Sequence, residues 1–210
     1  MKLDKLRSAF QHEGEFSRRL FLAYAASLAS VPLSGQCASA APRHSFTSDP
    51  FTCGVASGDP DHQSVVLWTR LAPKPLEPNG GMPNTPVAVH WELAADSAFK
   101  TIIQSGKINA TPALGHSVHV EPAGLKAGHW YFYRFQSGGA TSPIGRTRTL
   151  PAPADSPEKL RFAVTSCQNY EQGLFTAYQQ MAADDPDLVF HLGDYIYEYS
   201  GVNGRVRKHH

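Results

Sequence analysis

Two apolar segments near the end of the chain each run into residues able to bind or activate something. Leu160 to Ser166 leads into Cys167-Gln168-Asn169, and Asp187-Leu188-Val189-Phe190-His191-Leu192 leads into Gly193-Asp194-Tyr195-Ile196-Tyr197. Both runs have the length and composition of buried strands. Open α/β sheets place ligand sites at the carboxyl ends of their strands. Neighbouring strands lie about 5 Å apart, so Cys167 and Asp194 would face one small volume. Gly193 permits a tight turn, and Tyr197, three residues after Asp194, can return toward it. A thiolate, a carboxylate and a phenolate are costly to gather unless a cation neutralises them. A phenol ionises at about pH 10 in water, so a phenolate ligand asks for a highly charged metal, for which ferric iron is a good candidate. Spacing alone equally allows a small core cysteine, a turn-forming aspartate and a packed aromatic.

The elements that would position these residues are readable. Leu174, Phe175, Tyr178, Met181 and Ala182 fall at helical spacing, and Pro186 ends that helix. Strand, helix and strand over about thirty residues make a βαβ unit with parallel strands. A parallel sheet needs cover on both faces, and one such unit cannot supply it. Residues 160–210 therefore read as the start of an incomplete α/β domain, and the chain as the N-terminal part of a longer protein.

Residues 50–150 read as an all-β domain. Val65 to Leu71 is rich in β-branched and aromatic residues. Val87, Val89, Trp91 and Leu93 alternate as one buried face, as do Val118 with Val120, and Tyr131 with Tyr133 and Phe135. Turn clusters at 57–60, 77–86 and 137–139 separate them, which suggests a β-sandwich. Leu125 to Tyr133 resembles the strand entry of fibronectin type III domains, where a leucine precedes by six residues a tyrosine whose hydroxyl ties down the corner. Ala127 stands where proline is usual. Residues 151–159 form a linker, because three prolines in nine residues cannot join a sheet interior.

Phe162 to Tyr170 and His191 to Tyr199 together resemble the opening motifs of PhoD-like alkaline phosphatases, a branch of the calcineurin-like metallophosphoesterases. Val55-Ala56-Ser57-Gly58-Asp59-Pro60, followed by Ser64 to Leu71, resembles the start of that family's N-terminal domain. The resemblance implies a fibronectin-like β-sandwich followed by the first βαβ unit of a metallophosphoesterase domain. It implies that Cys167, Asp194 and Tyr197 bind Fe(3+), that Asp194 also bridges to Ca(2+) and is catalytic, and that phosphoesters are hydrolysed at two metals. The wider superfamily opens with Asp-x-His, and Cys167-Gln168-Asn169 at that point fits the PhoD-like branch. The family's other ligands lie in later motifs, so these 210 residues alone are expected to be inactive. The alternative is a non-enzymatic exported β-sandwich binding module with a vestigial tail. A haem or mononuclear iron redox protein is disfavoured, since there is no Cys-x-x-Cys-His and no pair of histidines with a carboxylate.

The first forty residues read as an export signal. Lys2, Lys5 and Arg7 precede Ser17-Arg18-Arg19-Leu20-Phe21-Leu22, a mildly apolar run from Ala23 to Leu33, and Ala38-Ser39-Ala40. Paired arginines before a weakly hydrophobic run resemble a twin-arginine signal, with cleavage after Ala40 and the translocation machinery as a partner. A periplasmic or secreted location follows. Gln36 before Cys37 disfavours lipidation. Export in the folded state suits a protein that must take up a chosen metal, because geometry alone selects poorly among divalent ions.

A net charge of +1 with 18% charged residues suggests no nucleic-acid binding, and no run of 18 apolar residues predicts a membrane anchor. Cys53 and Cys167 read as unpaired, since they fall in different domains. His191 reads either as reaching the site or as a satisfied core histidine. Asp59 and Asp61 read as turn residues, and Arg205, Arg207 and Lys208 as a solvated loop or a phosphate-attracting group. His209 and His210 would offer at most a terminal metal site.

Overall fold

In the computed structural model, residues 45–197 and 206–207 are described below. The expectations on the export segment, Cys37, Glu198, Tyr199, Arg205, Lys208, His209 and His210 fall outside them. The chain divides into two units, Met1–Pro42 and Arg43–His210, and every described residue belongs to the second.

Eight strands form the first region: β1 Val55–Gly58, β2 Val66–Arg70, β3 Val87–Ala94, β4 Ile102–Ala110, β5 Ser117–Val120, β6 Trp130–Ser137, β7 Ala140–Thr141 and β8 Gly145–Arg148. One antiparallel sheet has the order β1-β2-β5. The other has the order β4-β3-β6, with β7 and β8 both pairing along β6. Leu67 and Val118 from the first sheet meet Val89, Leu93, Tyr133 and Phe135 from the second in one buried core, so the two sheets form a sandwich.

The alternation in β6 does what its sequence predicts: Tyr131, Tyr133 and Phe135 are buried and the residues between them are not. The corner is also present. The Lys126 amide donates to the Tyr131 hydroxyl at 2.9 Å, above the buried Leu125. Gly145 has a different task. A Cβ there would lie 2.2 Å from the Tyr133 ring, its partner across the ladder, so only glycine lets the ring lie flat on β8.

Two details depart from the expected pattern. Trp91 is half-buried rather than in the core, because it lies over Gly106 on β4, where a Cβ would meet the indole nitrogen at 2.7 Å. Ser57 and Gly58 belong to β1, and the turn begins only at Asp59, whose φ is 46°.

After residues 151–159 come β9 Phe162–Thr165, α1 Thr176–Ala183 and β10 Leu188–His191. β9 and β10 are parallel, with Phe162 opposite Leu188 and Thr165 opposite His191. Leu174 and Phe175 precede the helix instead of lying on it. Phe175 sits at φ 56°, a left-handed position that starts α1 without a side-chain cap. The strands are also not buried as their composition leads one to expect: Phe162, Val164 and Phe190 are exposed. A parallel pair needs cover on both faces, and the described residues provide only one short helix.

Two arginines of β8 join the regions. Arg146 pairs with Asp185, and Arg148 donates to Asp187 at 2.5 Å. Both guanidinium groups stand over the Trp130 ring, at 4.2 and 5.4 Å from its centre. The other Asp187 oxygen accepts from the Arg161 amide at 3.0 Å, so one carboxylate holds the starts of both β9 and β10. Among the described residues, no helix is long and apolar enough to cross a membrane.

Candidate metal centre

The parallel register brings the chain out of β9 and β10 at one level, and hydrogen bonding continues past the strand ends. Leu192 donates to Thr165 O at 2.8 Å, Cys167 to Gly193 O at 3.2 Å, Gln168 to Asp194 O at 2.8 Å and Tyr170 to Ile196 O at 3.2 Å. Two loops are thereby laced together backbone to backbone. Their side chains converge on one atom, Asp194 Oδ2. The Cys167 Sγ lies 3.5 Å from it and the Tyr197 hydroxyl 3.0 Å. Cys167, Asp194 and Tyr197, singled out by type and spacing, are therefore neighbours in space.

All three stand at left-handed φ: Cys167 at 57°, Asp194 at 49° and Tyr197 at 58°. That conformation costs an L residue with a Cβ about 1–2 kcal/mol. Such strain persists where the surroundings over-determine it, and it clusters at ligand clamps. Cys167 and Asp194 are exposed, so the cluster opens to solvent. The Tyr197 phenol is pushed above its ordinary value, first by its hydrogen bond with Cys167 and then by that with Asp194. Without a metal it keeps its proton near neutrality and donates it to the carboxylate.

The donor set suits one small, highly charged cation. A sulfur and two oxygens bound at about 2.0–2.3 Å from a metal stand about 3–3.6 Å from each other, which the two measured separations already approach. Among the described residues there is no group of three or more His, Cys, Asp and Glu side chains, so the phenol is what completes this trio. Calcium takes 6–8 oxygen ligands, and here the described residues offer it little beyond Asp194.

The other candidates separate clearly. His191 neither reaches the trio nor sits satisfied in a core: Gly193 N donates to its Nδ1 at 3.3 Å, and its Nε2 is buried with no partner among the described residues. Asp59 and Asp61 are turn residues, Asp61 pairing with His62. Cys53 and Cys167 are free thiols. Arg207 is half-buried and engaged with the protein: it donates to Tyr170 O at 2.9 Å and Gly173 O at 2.6 Å and lies 4.2 Å over the Phe175 ring. It braces the loop that carries Cys167. Asn169 shapes the same loop by accepting from the Glu171 and Gln172 amides at 3.0 and 3.2 Å. The motif of an asparagine bonded two residues on gives a signal for Asn169. A cavity of about 620 Å³ between β9 and α1, lined by Leu160, Phe162, Met181 and Pro186, borders none of the trio.

The chain is similar to known proteins along most of its length. Residues 36–151 match the PhoD-like phosphatase N-terminal domain, and residues 162–210 match the PhoD-like phosphatase family. Alkaline phosphatase D of Bacillus subtilis (strain 168) is 48% identical over 220 residues, spanning 99% of this chain and 37% of that protein. A solved structure described as that of PhoD is 56% identical and superposes with a TM-score of 0.73, covering 75% of this chain and 30% of that one. The chain thus spans about a third of the length of these relatives. With the two family regions matched in order along nearly its whole described length, the chain belongs to the PhoD-like phosphatase family.

Proposed function

We propose that this chain supplies the first metal-binding loops of an exported phosphoester hydrolase, with Cys167, Asp194 and Tyr197 holding ferric iron and Asp194 shared with calcium. The observation that supports this most is the convergence of thiol, carboxylate and phenol on Asp194 Oδ2 from three strained backbone positions. A bound pair of metals would polarise phosphoryl oxygens and lower the pKa of water.

The chain's own residues do the rest. The laced loops fix the donors before a metal arrives, which reduces the ordering that binding would otherwise require. Asp194 lies between the other two donors and is the group placed to be shared. Its exposure leaves room for a phosphoester to approach. Ligation requires the Tyr197 phenol to surrender a proton that Cys167 and Asp194 help to retain. Binding therefore releases protons, and affinity rises with pH. The βαβ segment serves as the start of a larger α/β metallophosphoesterase sheet, whose remaining elements would cover Phe162, Val164 and Phe190. Arg18 and Arg19 direct export through the twin-arginine machinery, so the working location is periplasmic or secreted.

Ferric titration of the purified chain, followed by visible absorption, tests the ligand set. A phenolate-to-iron band is expected, lost in Tyr197→Phe, with binding at least about 100-fold weaker in Asp194→Ala. In the protein as its native source exports it, Asp194→Ala is expected to lower p-nitrophenyl phosphate hydrolysis at least about 1,000-fold. Near-normal turnover in that variant would sink the assignment. Retention of an Arg18→Lys, Arg19→Lys variant inside the cell is the matching outcome for export.

A further inference from the structure

His191 ends β10, three residues before Asp194, and the ligand set leaves it unused. The Gly193 amide donates to its Nδ1 at 3.3 Å, so that nitrogen carries the lone pair and the ring proton sits on Nε2. Nε2 has no partner among the described residues, so it is not the atom that holds the ring. Tyr195 packs against the imidazole, with ring centres 5.0 Å apart.

Gly193 needs such a hold. Its φ is +109°, and nothing lies within 4 Å of the position a Cβ would take. No side chain packs on the Cβ side of this turn, and two hydrogen bonds hold its peptide groups. The Gly193 carbonyl accepts from Cys167 N at 3.2 Å, and its amide is held by His191. The peptide unit so fixed sets the direction in which the Asp194 side chain leaves the backbone.

We propose that His191 is a positioning residue, acting through Nδ1 on the Gly193 amide to aim the Asp194 carboxylate. This rests on the reading of Asp194 as a metal ligand. The two ring nitrogens can be told apart by substitution. Asparagine at this position places its Oδ1 where it accepts from the amide two residues on, the bond of an Asx turn. Glutamine is one methylene longer, and it reproduces the reach of Nε2 instead.

The test compares His191→Asn, His191→Gln and His191→Ala in the 210-residue chain. One readout is hydrogen exchange of the Gly193 amide without metal, and the other is ferric iron titration. His191→Asn is expected to stay within about threefold of the parent in both. His191→Gln and His191→Ala are expected to exchange at least about tenfold faster and to bind iron about 10–100-fold more weakly. Unchanged exchange in the glutamine and alanine variants overturns the proposal, as does an asparagine variant no better than alanine. Glutamine matching the parent while asparagine fails would transfer the role to Nε2, and that too overturns it. A parent chain that binds no iron would defeat the metal reading, while Gly193 exchange would still decide what His191 does.

Discussion

Phe135 on β6 and Phe190 on β10 are both strand phenylalanines, yet one is fully buried and the other leaves 47% of its surface to solvent. The difference extends to their regions. The sandwich closes over its own core and meets its sharp turns largely with glycine, as at Gly54, Gly115, Gly124 and Gly128. The strand pair beyond it exposes both faces and places Cys167, Phe175, Asp185, Asp194 and Tyr197 at left-handed φ. The first region is stabilised by what it buries. The second is held by backbone lacing and by two arginines from the first, and it carries conformational strain where the thiol, carboxylate and phenol converge.

The sharpest way to break this contrast is to truncate both phenylalanines. Phe135→Ala is expected to destabilise the sandwich by about 3–5 kcal/mol, whereas the partly exposed Phe190 should lose clearly less, about 1 kcal/mol. Urea unfolding monitored by tryptophan fluorescence checks this. Equal losses would mean that the strand pair has a core of its own.

Alkali probes the buried side from another direction. Burial pushes the Tyr133 phenol up to about 12, against a smaller opposing hydrogen bond from Ser57. Its folded value is above its unfolded one, so its contribution is fully present below about pH 10 and is lost as pH rises toward 12. The loss amounts to about 2–3 kcal/mol. Tyr133→Phe is expected to flatten stability over that range relative to the parent.

The join between the regions should respond more weakly, and to acid and salt. The Asp187 carboxyl is held below its ordinary value, first by the Arg161 amide and then by Arg148. Its contribution is present above that ordinary value of 3.8 and is lost as pH falls below it. Arg148→Gln is expected to cost about 1 kcal/mol or less at neutral pH, to shrink with added salt and to reduce the acid loss. Proteinase cleavage within 151–159 should rise in the variant. Cleavage that ignores both the substitution and salt would show that the clasp holds nothing.

How much of this was legible depended on what each residue has to signal with. The β6 face was legible because Tyr131, Tyr133 and Phe135 alternate without interruption, and the corner because Leu125 and Tyr131 keep their spacing. β4 was not, since Gly106 and polar neighbours replace its apolar face and Trp91 from β3 fills the gap. The trio was legible from strand ends, because parallel register places successive carboxyl ends side by side. Its left-handed backbone was not, as neither cysteine nor tyrosine carries the signal that glycine or asparagine does. The brace from Arg207 was hidden for another reason. Its partners are the carbonyls of Tyr170 and Gly173, and a carbonyl has no residue type to read.

The smallest effect has the opposite sign, and it bears on why the strained region differs. Cys167→Gly removes a Cβ at φ 57° and a thiol whose contact with Asp194 is long and exposed. Relief of left-handed strain contributes about 1–2 kcal/mol, and the added freedom of glycine in the unfolded chain takes back about 0.5–1. The metal-free variant should therefore be more stable than the parent by a few tenths to about 1 kcal/mol, seen as slower amide exchange across β9 and β10. With ferric iron the order should reverse, because the thiolate is gone. A site selected for ligation rather than for stability must show this crossing. If the glycine variant is less stable both with and without metal, the left-handed turn at Cys167 is a packing requirement, and the strain is not evidence of a ligand.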